Sequence, residues 1–212
     1  MIRKTSCCIH IMLMNNFFPE LVELTLKTVE RYAKKINSKI NIISERKFPD
    51  WPILTEKLQV YDYTDYDWNI LMDADILVHP DTPDPLVYFD PREVGNKDEY
   101  VASNQLRPDK YFIRDGRNLG LSACLICTSR LTHDLWKFPT DLTKEEILEN
   151  ILQERKCVDE YVISRNLAKY GLKYRELFPV KYYNMMFHLG TEDEDKDKIL
   201  SRAKEWMLVN WR

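Results

Sequence analysis

Asp73-Ala74-Asp75 follows directly on the apolar run Trp68-Asn-Ile-Leu-Met72, and a second apolar run, Ile76-Leu-Val78, comes straight after it. A run of this kind reads as a buried central strand, apolar on both faces. Open α/β sheets bind ligands at the carboxyl ends of such strands. Two carboxylates there offer hard oxygen donors to one Mg²⁺ or Mn²⁺, and such an ion suits a diphosphate. Asp pairs also form ordinary turns, by accepting hydrogen bonds from nearby amides. The place of this pair at a strand end selects the metal reading. His188, in Phe187-His-Leu-Gly190, is a third candidate ligand. Imidazole beside two carboxylates suits Mn²⁺, and a glycine such as Gly190 permits close backbone approach.

Other residues have two readings each. Asp159 and Glu160 open a helical pattern, where carboxylates complement the helix dipole. The same pair could face a reacting group, as general base or as partner to a developing positive carbon. Lys57 lies on the helix expected before the central strand and either neutralises a diphosphate or is a solvated charge. Arg114 and Arg117 are phosphate or acceptor contacts, or solvated. Trp51, Trp136 and the Tyr182-Tyr183 pair stack on a sugar or base, or pack in the core.

The 212 residues suffice for one domain with a substantial core. Lys and Arg total 31 against 34 Asp and Glu, a net charge of −3 that argues against broad nucleic-acid binding. No apolar run approaches the roughly 20 residues that a membrane helix needs. Arg3-Lys4 followed by Cys7 to Met14 has the outline of a secretory signal. The run is short, contains His10, ends in Asn15-Asn16 and lacks a small-x-small cleavage site, so it reads as a first strand. The five cysteines are Cys7, Cys8, Cys124, Cys127 and Cys157. Their odd number and apolar settings suggest reduced, buried thiols in the cytoplasm. Cys124 and Cys127, three apart on an expected strand, would face opposite sides of the sheet and share no metal.

The elements that must position these groups follow in order. A strand at Cys7–Met14 leads through a turn to a helix from Pro19 to about Lys35. A strand at Lys39–Ser44, a loop at Pro49–Pro52 and a helix at Leu54–Tyr63 precede the central strand. This alternation is that of an α/β fold with a central, mostly parallel sheet flanked by helices. The prolines of His79–Pro85 exclude a helix or inner strand. Strands at Tyr100–Asn104 and Leu121–Thr128 flank a polar loop, Arg107–Gly120. Thr143-Lys-Glu-Glu146 is a capping box for a helix to about Arg155, and the helix from Val158 stops at Gly171. A strand at Lys173–Phe178, an aromatic and Met-rich stretch at Pro179–Gly190, and a last helix through Met207 complete the chain. Glycine-loop phosphate motifs are absent, so a phosphate would need a metal.

With the Asp-x-Asp, the later Asp-Glu and the His-containing tail in that order, the sequence resembles glycosyltransferases of the GT-A fold. It is most similar to family eight, the glycogenin and bacterial galactosyltransferase type. Asp73-Ala-Asp75 matches that family's metal motif, and Leu121-Ser122-Ala123-Cys-Leu-Ile126 its small-residue strand beside the donor sugar. His188-Leu-Gly190 is similar to its carboxyl-terminal metal histidine. The usual Lys-Pro-Trp after it is missing, which leaves Lys196 and Lys198 as substitutes for a diphosphate lysine. A looser resemblance is to transferase domains of the large chlorella viruses, which implies host cytoplasm as the location. The family resemblance implies transfer of a hexose or deoxyhexose from a UDP-sugar to a hydroxyl of a glycan or glycoprotein, with Mn²⁺ or Mg²⁺ on the diphosphate. It places uracil and ribose near Asn15, Asn16 and Ser44, and Asp73 and Ala74 at the ribose. Asp75 and His188 would hold the metal, with Ser122, Ala123 and Gly190 at the donor. Residues 1–90 would be the nucleotide-binding half of one domain and 91–212 the donor-sugar and acceptor half. The ending at Trp211-Arg212 gives the expectation of further fused domains. Whether configuration is retained or inverted stays open.

Two other classes are compatible with parts of this pattern. Haloacid-dehalogenase-type phosphatases also end a strand in Asp-x-Asp, the first Asp being the nucleophile. They want Thr or Val where Leu77 stands, an amino-terminal motif and a later Asp pair. A non-catalytic nucleotide-sugar binding module is the other.

Overall fold

A computed structural model of the chain describes residues 5–97, 106–114, 116, 120–152, 157–178, 185–190 and 195–211. The first strand, β1 (Cys7–Met12), is apolar except for His10 and buried on both faces through Ile11. Asn15 and Asn16 then turn the chain with φ of 54° and 52°, left-handed values that asparagine tolerates. Helix α1 (Pro19–Ile36) starts with its proline in the first turn, where no amide hydrogen is needed. It stops where Asn37 adopts a left-handed conformation and its N–H returns to the Ala33 and Lys34 carbonyls. Its buried stripe is Leu21, Thr25, Thr28, Val29, Tyr32, Ala33 and Ile36.

The next elements are β2 (Lys39–Ile43), a 3-10 helix (Ile53–Asp62), β3 (Trp68–Met72) and the short β4 (Ile76–Val78). Then come β5 (Glu93–Asn96), β6 (Leu125–Ser129), α2 (Lys144–Glu149), α3 (Val158–Lys169), β7 (Lys173–Glu176), β8 (Met186–His188) and α4 (Lys196–Asn210). Six strands form one sheet in the order β2-β1-β3-β6-β5-β7. Only β6 opposes its neighbours; the other five run the same way. The sheet is therefore mostly parallel with helices on both faces, as the α/β pattern predicts. Because β1, β2 and β3 are parallel, the loops that follow them leave one common edge.

Strand alternation divides the core. Cys7, Ile9, Ile11, Ile70, Met72 and Cys127 pack with α1 on one face. Leu71, Val94 and Ile126 face the other, against Leu58, Trp136, Tyr161 and Val162. On this second face His10 sits between strands: Asn41 Nδ2 donates to its Nδ1 at 3.2 Å, and its Nε2 lies 2.8 Å from Asn69 Oδ1. A third apolar group, with Leu77, Leu189, Ile199 and Ala203, joins α4 to a separate two-stranded ribbon of β4 and β8.

Several sequence expectations need correction. The helix at Leu54–Tyr63 is a 3-10 helix. The strand at Leu121–Thr128 begins only at Leu125, because the Leu121 and Ala123 amides and the Ser122 carbonyl are held by side chains rather than by a neighbouring strand. Cys124 thus precedes the strand, and it packs in the same apolar group as Cys127 instead of across the sheet from it. All five cysteines are free and buried. Helix α2 is shorter than expected: Asn150 caps it and Ile151 bridges to Leu106, while 153–156 lie outside the described residues. The strand expected at Tyr100–Asn104 also lies outside the described residues, and β5 was not foreseen. Helix α4 runs three residues past Met207 to Asn210. No helix among the described residues is long and apolar enough to cross a membrane.

The His10 ring predicts a pH effect. Burial lowers its pKa from 6.5 to about 4 against the opposing pull of the Asn69 hydrogen bond, and the neutral ring with its hydrogen on Nε2 satisfies both asparagines. The unfolded chain then binds the extra proton first. The stability from the neutral ring is present above pH 6.5 and is lost as pH falls toward 4, a loss of about 3 kcal/mol for the full shift. Urea unfolding at pH 7 and pH 4.5 should show this acid slope, and His10→Gln should flatten it.

Candidate active site

The ladder between β3 and β6 continues one step beyond β3: the Asp73 N–H donates to the Cys124 carbonyl at 2.8 Å. The Ile76 N–H then closes a turn on the Asp73 carbonyl at 3.2 Å, and β4 leaves the sheet. It pairs antiparallel with β8, setting Ile76 opposite His188, and the Leu189 N–H donates to the Asp75 carbonyl at 3.1 Å. This ribbon carries the imidazole to the carboxylates. His188 Nε2 lies 3.3 Å from Asp75 Oδ1. One ligand atom from each of Asp73, Asp75 and His188 falls within 4.8 Å of the others. Around an octahedral Mg²⁺ or Mn²⁺, donors sit about 3 Å apart when adjacent and about 4 Å when opposite. Two carboxylates and an imidazole at this spacing fit a divalent ion.

Lys57 reaches the same place from the 3-10 helix and is 5% exposed, not solvated. Its Nζ lies 2.7 Å from Asp73 Oδ1 and 3.4 Å from Asp159 Oδ2, and donates to the Ala123 carbonyl at 3.1 Å. Burial works against the ammonium, but Asp73 and Asp159 outweigh it and hold Lys57 charged well above the usual lysine range. Burial raises the Asp73 and Asp159 carboxyls, with Lys57 pulling against it. Burial and the charge of Asp159 push Glu160 up to about 8. At His188 burial opposes the charged ring, yet the hydrogen bond and charge of Asp75 raise its pKa.

Asp159 and Glu160 stand in the first turn of α3, as both readings of their sequence require. Asp159 is buried, with Oδ1 unpaired among the described residues; Glu160 is half-buried and accepts from the Ala123 N–H at 3.4 Å. Ser122 and Ala123 lie in the backbone segment that crosses the cluster, and Ala74 is buried between its two aspartates. Gly190, two residues past His188, has φ of 64°, a value open to glycine. Asn15, Asn16 and Ser44 are exposed on the loops after β1 and β2, on the sheet edge that holds the acidic cluster. Among the described residues no hydrogen bond joins these three to the cluster.

Other candidates go elsewhere. Arg114 donates to the Ala168 and Lys169 carbonyls, capping the end of α3. Trp136 is fully buried and Trp51 packs edge-on against Phe138. Lys196 lies over the Phe18 ring, and Lys198 is exposed on α4. Arg117, Tyr182 and Tyr183 lie outside the described residues. Two residues that the sequence reading passed over, Asn96 and Ser164, bond the backbone of the crossing segment. Ser164 was legible as the residue one helical turn after Glu160; Asn96 carried no signal.

No protein-family model matches the chain, and no curated protein sequence matches it. Among solved structures it is similar to a glycosyltransferase involved in the glycosylation of the major capsid of PBCV-1, with a TM-score of 0.56 and 10% identity over 94% of this chain and 99% of that one. It is also similar to the galactosyltransferase LgtC in complex with donor and acceptor sugar analogues, with a TM-score of 0.55 and 14% identity over 93% and 95% of the two chains. At this identity the likeness is one of fold. The chain has the GT-A glycosyltransferase fold, similar to that of family eight.

Removing the buried cation leaves the buried Asp159 and the half-buried Asp73 without it. Lys57→Met should lower the unfolding free energy by about 3–5 kcal/mol. Lys47→Met, at the exposed pair with Asp62, should cost less than about 1 kcal/mol. Denaturant midpoints of the two variants measure the difference.

Proposed function

We propose that this protein is a metal-dependent glycosyltransferase that moves a hexose or deoxyhexose from a UDP-sugar to a hydroxyl of a glycan or glycoprotein. The observation that carries the reading is the convergence of Asp73, Asp75 and His188 at the carboxyl end of β3, braced by Lys57. Bound there, Mn²⁺ or Mg²⁺ supplies Lewis-acid stabilisation to the charge on a departing diphosphate. Asp73, Asp75 and His188 hold the ion. Lys57 fixes the orientation of Asp73 by pairing with its Oδ1, so the carboxylate would be held in place for the ion.

The first half of the chain, 1–90, binds the nucleotide. Asn15, Asn16 and Ser44 line the uracil and ribose side of the shared sheet edge, with Asp73 and Ala74 at the ribose. The second half, 91–212, receives the sugar and the acceptor through Ser122, Ala123, Gly190 and the opening turn of α3. Of its two carboxyls, Glu160 is the more accessible, and it faces the anomeric carbon as base or electrostatic partner. Asp159 supports it from behind by pairing with Lys57. The balanced surface charge fits a soluble sugar acceptor better than a nucleic acid.

Calorimetric titration of UDP and UDP-hexoses, with and without Mn²⁺, tests the proposal. Affinity for UDP should rise at least about tenfold with the metal and lose that gain in Asp75→Ala. UDP should then be released slowly from the matching UDP-sugar. Metal-independent affinity, unchanged in Asp75→Ala, would sink the mechanism. Tight binding without turnover would point to a binding module, and phosphate release from aryl phosphates alone to a phosphatase.

A further inference from the structure

The segment from Gly120 to Cys124 enters the site without belonging to any strand, and its backbone is held from two sides. The Leu121 N–H donates to Ser164 Oγ at 2.9 Å, and the Ala123 N–H donates to Glu160 Oε1 at 3.4 Å. Ser164 follows Glu160 by four positions on α3, so the two side chains stand one turn apart on one helix face. From the other elements, Asn96 Nδ2 donates to the Ser122 carbonyl at 2.8 Å and Lys57 Nζ to the Ala123 carbonyl at 3.1 Å. The Asp73 N–H takes the Cys124 carbonyl.

The segment also presses closely on Ser164. A Cβ on Gly120 would stand 2.2 Å from Ser164 Oγ and 2.8 Å from the Phe112 ring. Ser164 is 1% exposed, so the Leu121 amide it satisfies lies away from bulk water. The neighbouring bond to Glu160 is long, on the part of the distance range where a small shift decides whether a hydrogen bond exists. It is also the one hydrogen bond to the Glu160 side chain among the described residues. What sets the height of this segment on α3 therefore sets whether that bond forms.

We propose that Ser164 is a positioning residue for Glu160: its hydroxyl sets the 120–124 segment so that the Ala123 amide meets the Glu160 carboxyl while the Ala123 carbonyl meets Lys57. The effect on turnover rests on the transferase reading above. The effect on the segment does not, because it is a property of the free protein.

Two readouts separate these levels. In the free protein, amide hydrogen exchange by NMR should show Leu121 and Ala123 both losing about tenfold or more of their protection in Ser164→Ala, with Ile70 in β3 and Ile126 in β6 unchanged. In turnover, kcat for UDP release should fall about tenfold, with KM and Mn²⁺-dependent UDP affinity within about twofold. Gly120→Ala, which shifts the segment without removing any hydrogen-bonding group, should give the same kcat-selective loss. Ser164→Ala/Gly120→Ala should be no worse than Gly120→Ala, since removing Oγ relieves the tightest contact and leaves those with the Phe112 ring at 2.8 Å and the residue-164 Cβ at 2.9 Å. Retained protection at Ala123 while Leu121 loses its own would overturn the proposal, as would kcat within twofold of wild type in both single variants. A wild-type protein that neither binds UDP with metal nor turns over a UDP-sugar removes the transferase reading; the exchange pattern still decides whether Ser164 holds Ala123.

Discussion

One buried ammonium makes the acidic end of β3 tenable. Asp73, Asp75, Asp159 and Glu160 gather in a small, partly dry volume, where like charges repel strongly. Lys57 offers three N–H donors and finds three oxygens, on β3's end, on α3 and on the segment before β6. It thereby ties the two faces of the site together as well as offsetting their charge. The 3-10 helix that carries it is braced by the adjacent residue. Glu56, fully buried, accepts from Arg46 Nε and from the Lys47 and Phe48 amides in the loop after β2. Consecutive side chains thus fix the loop after β2 and the carboxylate cluster to one short element.

Much of the frame was readable in the sequence because local chemistry and burial agree there. Trp68–Met72 is apolar on both faces and is a central strand; Pro19, the Thr143–Glu146 capping box and Gly171 mark helix limits that the structure keeps. Asp73 and Asp75 were legible from their place after that strand and His188 from its place before Gly190, and the structure brings the three together. What failed to show has a physical cause in each case. Lys57 was named in the sequence as a diphosphate contact or a solvated charge; its place among the carboxylates did not show, since burial and those partners come only from tertiary packing. β5 contains a single large apolar residue, Val94, and exists because β6 and β7 pair with it. Gly95 belongs there because Phe89 and Leu177 leave no room for a Cβ. The Leu121–Cys124 run has the composition of a strand, but its amides are claimed by α3 side chains.

Charge placement in this protein follows accessibility. Exposed pairs such as Lys47 with Asp62 and Arg92 with Asp90 lie on the surface, where water screens them and they stabilise little. Besides Glu56, the buried titratable groups that form ion pairs among the described residues converge on two places, the acidic cluster and Arg165. The latter is fully buried, bonds Asp141 at 2.7 Å and lies 3.4 Å from Asp109, whose carboxylate also caps the turn at Tyr111 and Phe112. That second network, with Arg114, fastens residues 109–114 onto α3, so the helix bearing Asp159 and Glu160 is anchored at both ends of its buried face.

The ribbon of β4 and β8 has a further bearing. Its two strands come from well-separated parts of the sequence, and α4 packs behind them, with Trp206 stacked on Phe187 and Arg202 bonding the Leu189 carbonyl. A slip of one residue in this pairing would turn the imidazole to the opposite face. An ion captured between Asp75 and His188 thus recognises only the chain whose tail has docked in register. Mass action would then make an ion held there a fastener of β8 and α4, favouring the fully assembled state over any in which the last helix has peeled away.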